Sequence, residues 1–146
     1  FAMAGMTMHN AEERDLRKMG GLARQMPVIA LVFIIAGLAS LGLPGTSGFA
    51  AEFLIFIGSF TSTTVAGIQL YTILAVVGVV LTAGYILWMV QRVFFGPVQE
   101  RFDHSHDADT IEKVAIFALV AVIIFIGIYP AILTDIIKIG ILPVIK

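Results

Sequence analysis

The chain has 146 residues, 59% of them hydrophobic and 13% charged, with a mean hydropathy of +1.00 and a formal net charge of -1. Soluble domains carry about 25% charged residues, so this is an integral membrane protein, and near-neutrality argues against nucleic acid as a partner. The absence of cysteine excludes disulfides, thiolate metal sites and iron–sulfur clusters from the chain, and leaves its redox compartment open.

Residues 1–8 are apolar but too short to cross a bilayer, which takes about 20 residues. They read as the end of a truncated transmembrane helix. No basic stretch precedes them, so no signal peptide is expected. Residues 9–25 carry Glu12, Glu13, Arg14, Asp15, Arg17, Lys18 and Arg24 and read as a solvated cytoplasmic connection, with a turn at Gly20-Gly21. A basic surface helix is the alternative there, and the interspersed acids count against it.

Residues 26–60 hold the most informative pattern. Pro27 suits the first position of a helix, where its missing N–H is harmless. Pro27 to Leu43 covers about 25 Å and Phe49 to Phe60 about 18 Å at helical rise. Between them, Gly42, Pro44, Gly45 and Gly48 make one continuous helix implausible, and the spacing predicts a break near residues 42–48. From Pro27 to Phe60 the only ionisable side chain is Glu52. A charge at mid-bilayer costs at least ~2.5–3.5 kcal/mol, so an intramembrane carboxylate marks an ion or proton path by default. The competing reading is a structural carboxyl kept protonated by a polar neighbour. Exposed backbone groups at such a break are tolerable only against protein or a water-filled cavity.

Residues 61–68 follow as an outward loop, with a hydroxyl-rich stretch at Ser59–Thr64 and no Lys or Arg. Residues 69–94 form the clearest span, with Tyr71 near one end and Tyr85 and Trp88 toward the other, as aromatic belts require. Gly78 and Thr82 make only a weak small-residue pattern for helix contact. Gln91-Arg92 then falls at the interface, and Phe94-Phe95-Gly96-Pro97 ends the helix. Residues 95–110 are a polar cytoplasmic loop containing Glu100, Arg101, Asp103, His104, His106, Asp107 and Asp109. Histidines two apart diverge on a helix, and a metal centre needs an ordered surrounding shell, so no metal site is assigned. His9 is read as a third loop histidine. Thr110 is placed to cap the next helix, with Glu112 at its positive end and Lys113 snorkelling. Residues 111–130 form the last full span, closed by Pro130. Residues 131–146, with Asp135 and Lys138 among isoleucines, read as an amphipathic C-terminal tail at the interface.

Arg14, Arg17, Lys18 and Arg24 lie in the first connection, none lies near Thr61, and Arg92, Arg101 and Lys113 flank the third. That alternation fits one interrupted span over residues 26–60; a hairpin there would place the charged connections on opposite sides. The fold class expected is all-α, a polytopic transmembrane helix bundle with one mid-membrane broken helix.

Two sets of residues then become familiar. Arg14-Asp15-Leu16-Arg17-Lys18-Met19-Gly20-Gly21-Leu22 and Gly42-Leu43-Pro44-Gly45-Thr46-Ser47-Gly48-Phe49, with Glu52-Phe53 following, closely resemble the antiporter-like subunit M (subunit 4) family of respiratory complex I, NADH-quinone oxidoreductase. Thr82 to Trp88 and Arg92 to Gly96 look like that family's next helix. The resemblance covers nearly the whole chain and is weakest around His104 and in the tail. It implies the C-terminal portion of a longer subunit: the end of one helix, a broken helix and the two helices after it. Sibling subunits and sodium/proton antiporters typically carry lysine where this chain has Glu52, and subunit M carries glutamate. The family's central proton route also uses residues on earlier helices that are absent from this sequence.

The resemblance implies a proton-translocating subunit of an oxidoreductase, a translocase with no redox centre of its own. NADH, FMN, Fe–S clusters and quinone are then expected in other subunits, with no cofactor held here. Expected partners are the other membrane-arm subunits, especially neighbouring antiporter-like ones, the lipid bilayer and protons. The location implied is a bacterial or archaeal cell membrane, or an energy-converting organelle membrane. On this reading Glu52 transfers protons, while Gly42, Pro44, Gly45, Thr46, Ser47 and Gly48 keep the break open and hold water. The rival readings are a stand-alone cation/proton antiporter, a related energy-converting hydrogenase or ferredoxin-linked complex, and a non-catalytic membrane scaffold.

Overall fold

The computed structural model describes residues 1–99, 102 and 104–141, and every regular element among them is helical. The chain is a membrane helix bundle. Its elements are α1 (Ala2–Ala11), a 3-10 turn (Leu16–Lys18), α2 (Leu22–Gln25), α3 (Pro27–Ser40), α4 (Ser47–Thr61), α5 (Ile68–Phe95), α6 (Thr110–Ile128) and α7 (Ala131–Ile141). Only α5 and α6 are individually long and apolar enough to cross a bilayer; α3 and α4 are shorter apolar helices on either side of an interruption.

The arrangement of α3 and α4 along α5 decides between one interrupted span and a hairpin. Phe33 of α3 meets Phe94 near the end of α5, with ring centroids 5.0 Å apart. One turn further along α3, Gly37 faces Ile86, whose Cγ2 lies 3.3 Å from where a Cβ on that glycine would sit. Beyond the break, Phe56, Ile57 and Phe60 of α4 share a cleft with Thr72 and Ile73 near the start of α5. Residue numbers rise along α3–α4 as they fall along α5, so the two short helices run in sequence antiparallel to one long one. Their 14 and 15 residues together match the 28 of α5, about 42 Å of helix.

The two charged connections consequently meet at one end of the bundle. Gly20 and Gly21 pack against the backbone of Pro97 and Val98, and His9 and Glu12 share a cleft with His104 and His106. Cysteines placed at Thr63 and His104, both exposed, should therefore react with an impermeant maleimide from opposite membrane faces. Labelling of both from one face would restore the hairpin.

The core lies at the charged end. Leu22, Met26, Ile29, Phe94 and Phe102 are its largest fully buried side chains, joined by Met19, Val32 and Val93. The connection over residues 9–25 is thus not simply solvated: burying Met19 and Leu22 removes apolar surface from water and ties the connection to α5. Along α5, by contrast, Leu70, Ile73, Val80, Leu81, Tyr85 and Trp88 all stand exposed. A contiguous apolar surface of that size is what lipid or a neighbouring membrane chain covers.

Two local expectations are corrected. The cap of α6 is Asp109, not Thr110: Asp109 and Glu112 form a capping box, with the Asp109 N–H donating to Glu112 at 3.0 Å, so Thr110 is the first helical residue. Asp107 is not a freely solvated loop acid, as described below. In the tail, α7 runs to Ile141 with an exposed Asp135–Lys138 pair at 3.7 Å. Residues 142–146, including Pro143, lie outside the described residues, as do Glu100, Arg101 and Asp103.

Candidate functional site

The interruption spans residues 41–46, and its first half is a complete helix stop. Gly42 sits just past the end of α3 with φ +67°. Its N–H donates to Ala39 O at 3.2 Å, and the Leu43 N–H reaches back to Leu38 O at 3.1 Å. This pair of bonds is the Schellman arrangement, which needs a left-handed residue where Gly42 stands. Pro44 follows and cannot supply the N–H that the Ser40 carbonyl would otherwise accept.

Thr46 opens the second half in an extended conformation. Its hydroxyl does not cap α4. It donates instead to Leu43 O at 2.7 Å, beside the backbone bond from Thr46 N to the same oxygen at 3.0 Å. The first N–H groups of α4 are therefore left without a side-chain acceptor. Ser47 and Gly48, expected within the break, already belong to the first turn of α4. Gly48 works by contact rather than by breaking the helix: any Cβ there would strike the Ala39 carbonyl oxygen. Its bare backbone lets the two half-helices touch.

Glu52 lies within α4, past its first turn, yet its carboxyl group lies over the break. Side chains on a helix lean toward its N-terminus, and this one is long enough to reach back across the first turn. The Glu52 carboxyl carbon is 3.2 Å from the position a Cβ on Gly42 would take, and its Oε2 is the nearest heavy atom to that position. The residue is half-buried and forms no ion pair among the described residues. The carboxyl thus rests in the space left by a glycine that the backbone also requires. The structure brings together Glu52, Gly42 and the start of α4. Pro44 and Gly45 stand at the exposed outer edge of the same turn.

Two further residues hold this geometry in place, and neither is signalled by the sequence. Gly127, in the last turn of α6, packs directly on the backbone of Gly45 and Thr46, where a Cβ would collide. Asp107, just before α6, accepts from Val28 N at 3.1 Å and Ile29 N at 3.2 Å, and so caps the start of α3 from 79 residues away. Helix α6 is therefore fastened to the broken helix at both ends. A glycine in an apolar span and an aspartate in an acidic loop are ordinary by composition; only their long-range partners distinguish them. Asp107→Ala should remove two acceptors from α3 at a cost of ~1 kcal/mol, read as about fivefold faster amide exchange at Val28 and Ile29. Unchanged exchange there would remove Asp107 from the support of the break.

Of the three histidines expected in polar loops, His9 lies instead in the last turn of α1, because that helix runs on to Ala11; it lines one cleft of about 340 Å³ with Glu12, His104, Ser105 and His106. Among the described residues no three His, Cys, Asp or Glu side chains are arranged to hold a metal ion.

The sequence from Phe1 to Ala83, including the break and Glu52, matches the family described as NADH:quinone oxidoreductase/Mrp antiporter, TM. The chain belongs to this family. Within this antiporter family the chain is similar to subunit M of the NADH-quinone oxidoreductase of Rhodobacter capsulatus, 38% identical over 94% of the chain. It is 40% identical over 93% of its length to chain 4 of the NAD(P)H-quinone oxidoreductase of Acaryochloris marina, and 33% identical over 92% to subunit M of the F(420)H(2) dehydrogenase of Methanosarcina mazei. In each case the chain spans about a quarter (26%) of the relative's length. Membership makes this antiporter-family segment part of a multi-pass integral membrane protein. Asp107 and Gly127 both fall beyond residues 1–83, the part that matches the family description.

Proposed function

We propose that this segment belongs to a proton-translocating, antiporter-like subunit of a quinone oxidoreductase, and that Glu52 is its proton-transfer group. The observation that carries this reading is the placement of the Glu52 carboxyl over the interruption in α3–α4. An isolated carboxyl within an apolar span has no structural role that a neutral residue would not fill more cheaply. Here it faces a gap whose backbone includes uncapped N–H groups on α4 and a carbonyl that Pro44 leaves without its helical donor. Such groups retain water, and broken helices in transporters place ion sites at this position.

The chain supplies a proton acceptor and, beside it, a break with backbone groups that lack helical partners. Glu52 takes a proton from water on one side of the gap and releases it to the other. Gly42 leaves room for the carboxyl over the break, while Gly127 of α6 packs on the Gly45–Thr46 backbone beside it. Electron transfer takes place elsewhere: without cysteine the chain cannot ligate an Fe–S cluster through thiolates, and NADH, FMN and quinone are assigned to other subunits. Relatives named for NADH, NAD(P)H and F(420)H(2) support one membrane module served by different electron inputs. Neighbouring membrane-arm subunits, lipid and protons are the partners proposed.

The experiment is proton translocation per electron in vesicles containing the assembled complex, comparing Glu52 with Glu52→Gln. Loss of translocation with assembly intact supports the assignment; unchanged stoichiometry and rate favour a scaffold.

A further inference from the structure

A cleft of about 550 Å³ lies where the 3-10 turn meets the end of α5. Arg17 comes from the turn, while Trp88, Gln91, Arg92 and Phe95 come from the last two turns of the helix. Arg17 and Arg92 are exposed, and among the described residues they form no ion pair and no acidic side chain lines the cleft. The Arg92 guanidinium sits over the Trp88 ring at 5.4 Å, which orients its charge while leaving its N–H donors free. Charge, amide and indole therefore converge at the end of an apolar helix, the depth at which phospholipid phosphates lie.

Below the cleft the same face of α5 continues as apolar surface. Counting back from Arg92 by three and four gives Trp88, Tyr85 and Leu81, which are 55%, 61% and 70% exposed. A free anion needs only the two arginines. A track for an acyl chain, leading directly from them, is required only by a lipid.

We infer that this cleft is a binding site for an anionic phospholipid, with its phosphate between Arg17 and Arg92 and one acyl chain along Trp88, Tyr85 and Leu81. Planar guanidinium groups match phosphate oxygens in pairs, and basic pockets between transmembrane elements on this side of a membrane select anionic head groups. The inference does not depend on the role of Glu52.

The test uses the assembled complex in nanodiscs containing a photoreactive phosphatidylglycerol, with adducts mapped by mass spectrometry. Adducts should fall on the stretch from Leu81 to Phe95, and Arg17→Gln with Arg92→Gln should lower them about thirtyfold, about fivefold per arginine. The paired Arg17→Lys and Arg92→Lys changes, which keep the charge but lose the planar fork, should label between wild type and the glutamine pair, which separates charge from folding. Trp88→Ala should lower lipid labelling as well. Equal labelling by a phosphatidylcholine analogue would overturn the assignment. So would displacement by inorganic phosphate, which would identify a free-anion site instead.

Discussion

Replacing Glu52 by glutamine should abolish most proton translocation while leaving the complex assembled. Glutamine keeps the length and hydrogen-bonding capacity of a protonated glutamate, so contacts with Gly42 and the break survive. It cannot take up and release a proton. Groups that transfer protons contribute about 100- to 10,000-fold to the steps they serve, so a loss well beyond tenfold is expected. Glu52→Asp retains the acid and withdraws it by about one methylene; a partial defect is expected if its reach to the gap sets the transfer distance. Glu52→Lys tests whether any ionisable group suffices, since the resembling sibling subunits carry lysine there. The measurement is protons moved per electron in reconstituted vesicles, with assembly verified on the same preparation. A fully assembled Glu52→Gln complex with unaltered stoichiometry and rate would end the proton-path assignment.

The second large effect concerns the glycines that shape the break. Gly42→Ala places a side chain at φ +67°, which costs about 1–2 kcal/mol in backbone conformation alone. The new methyl would also occupy the space held by the Glu52 carboxyl. Translocation should fall severely even though Glu52 is unchanged. Gly127→Ala acts from the other side, driving a methyl into the Gly45–Thr46 backbone and pushing α6 away from the break. Overpacking of this kind costs about 1–3 kcal/mol. The change should lower both thermal stability and translocation, whereas Gly84→Ala, a site with open space around it, serves as the neutral control. Wild-type translocation in Gly42→Ala would show that the carboxyl does not need its place over the break.

The broken span was legible because its signals are local. Pro44, the surrounding glycines and a lone acid in an apolar run carry their meaning within a few residues, and hydropathy supplies α5 and α6 directly. The charge pattern also implied that the two charged connections share a face, and Gly20–Gly21 against Pro97–Val98 shows them packed together. The finer boundaries were not legible. Ser47 and Gly48 join α4 because extended Thr46 takes the N-cap position, although its hydroxyl turns to Leu43 O instead. Asp109, rather than Thr110, caps α6 because Glu112 stands at the spacing of a capping box. Asp107 and Gly127 were invisible for a different reason: their partners lie 79 and about 81 residues away, and no local pattern encodes such pairing.

The uneven distribution of burial has a consequence for the surroundings of Glu52. Helices α2 and α3 and the last turns of α5 enclose Leu22, Met26, Ile29 and Phe94, while α4 contains no buried residue at all. The charged end thus holds the largest fully buried side chains of the described residues. The limb bearing Glu52 is different: α4 lies against α5 and α6, yet none of its residues is buried, so much of its surface is left for lipid or other protein to cover. The surroundings of the Glu52 carboxyl are therefore completed by whatever covers that open surface, whereas the packing at the charged end is already closed within these helices.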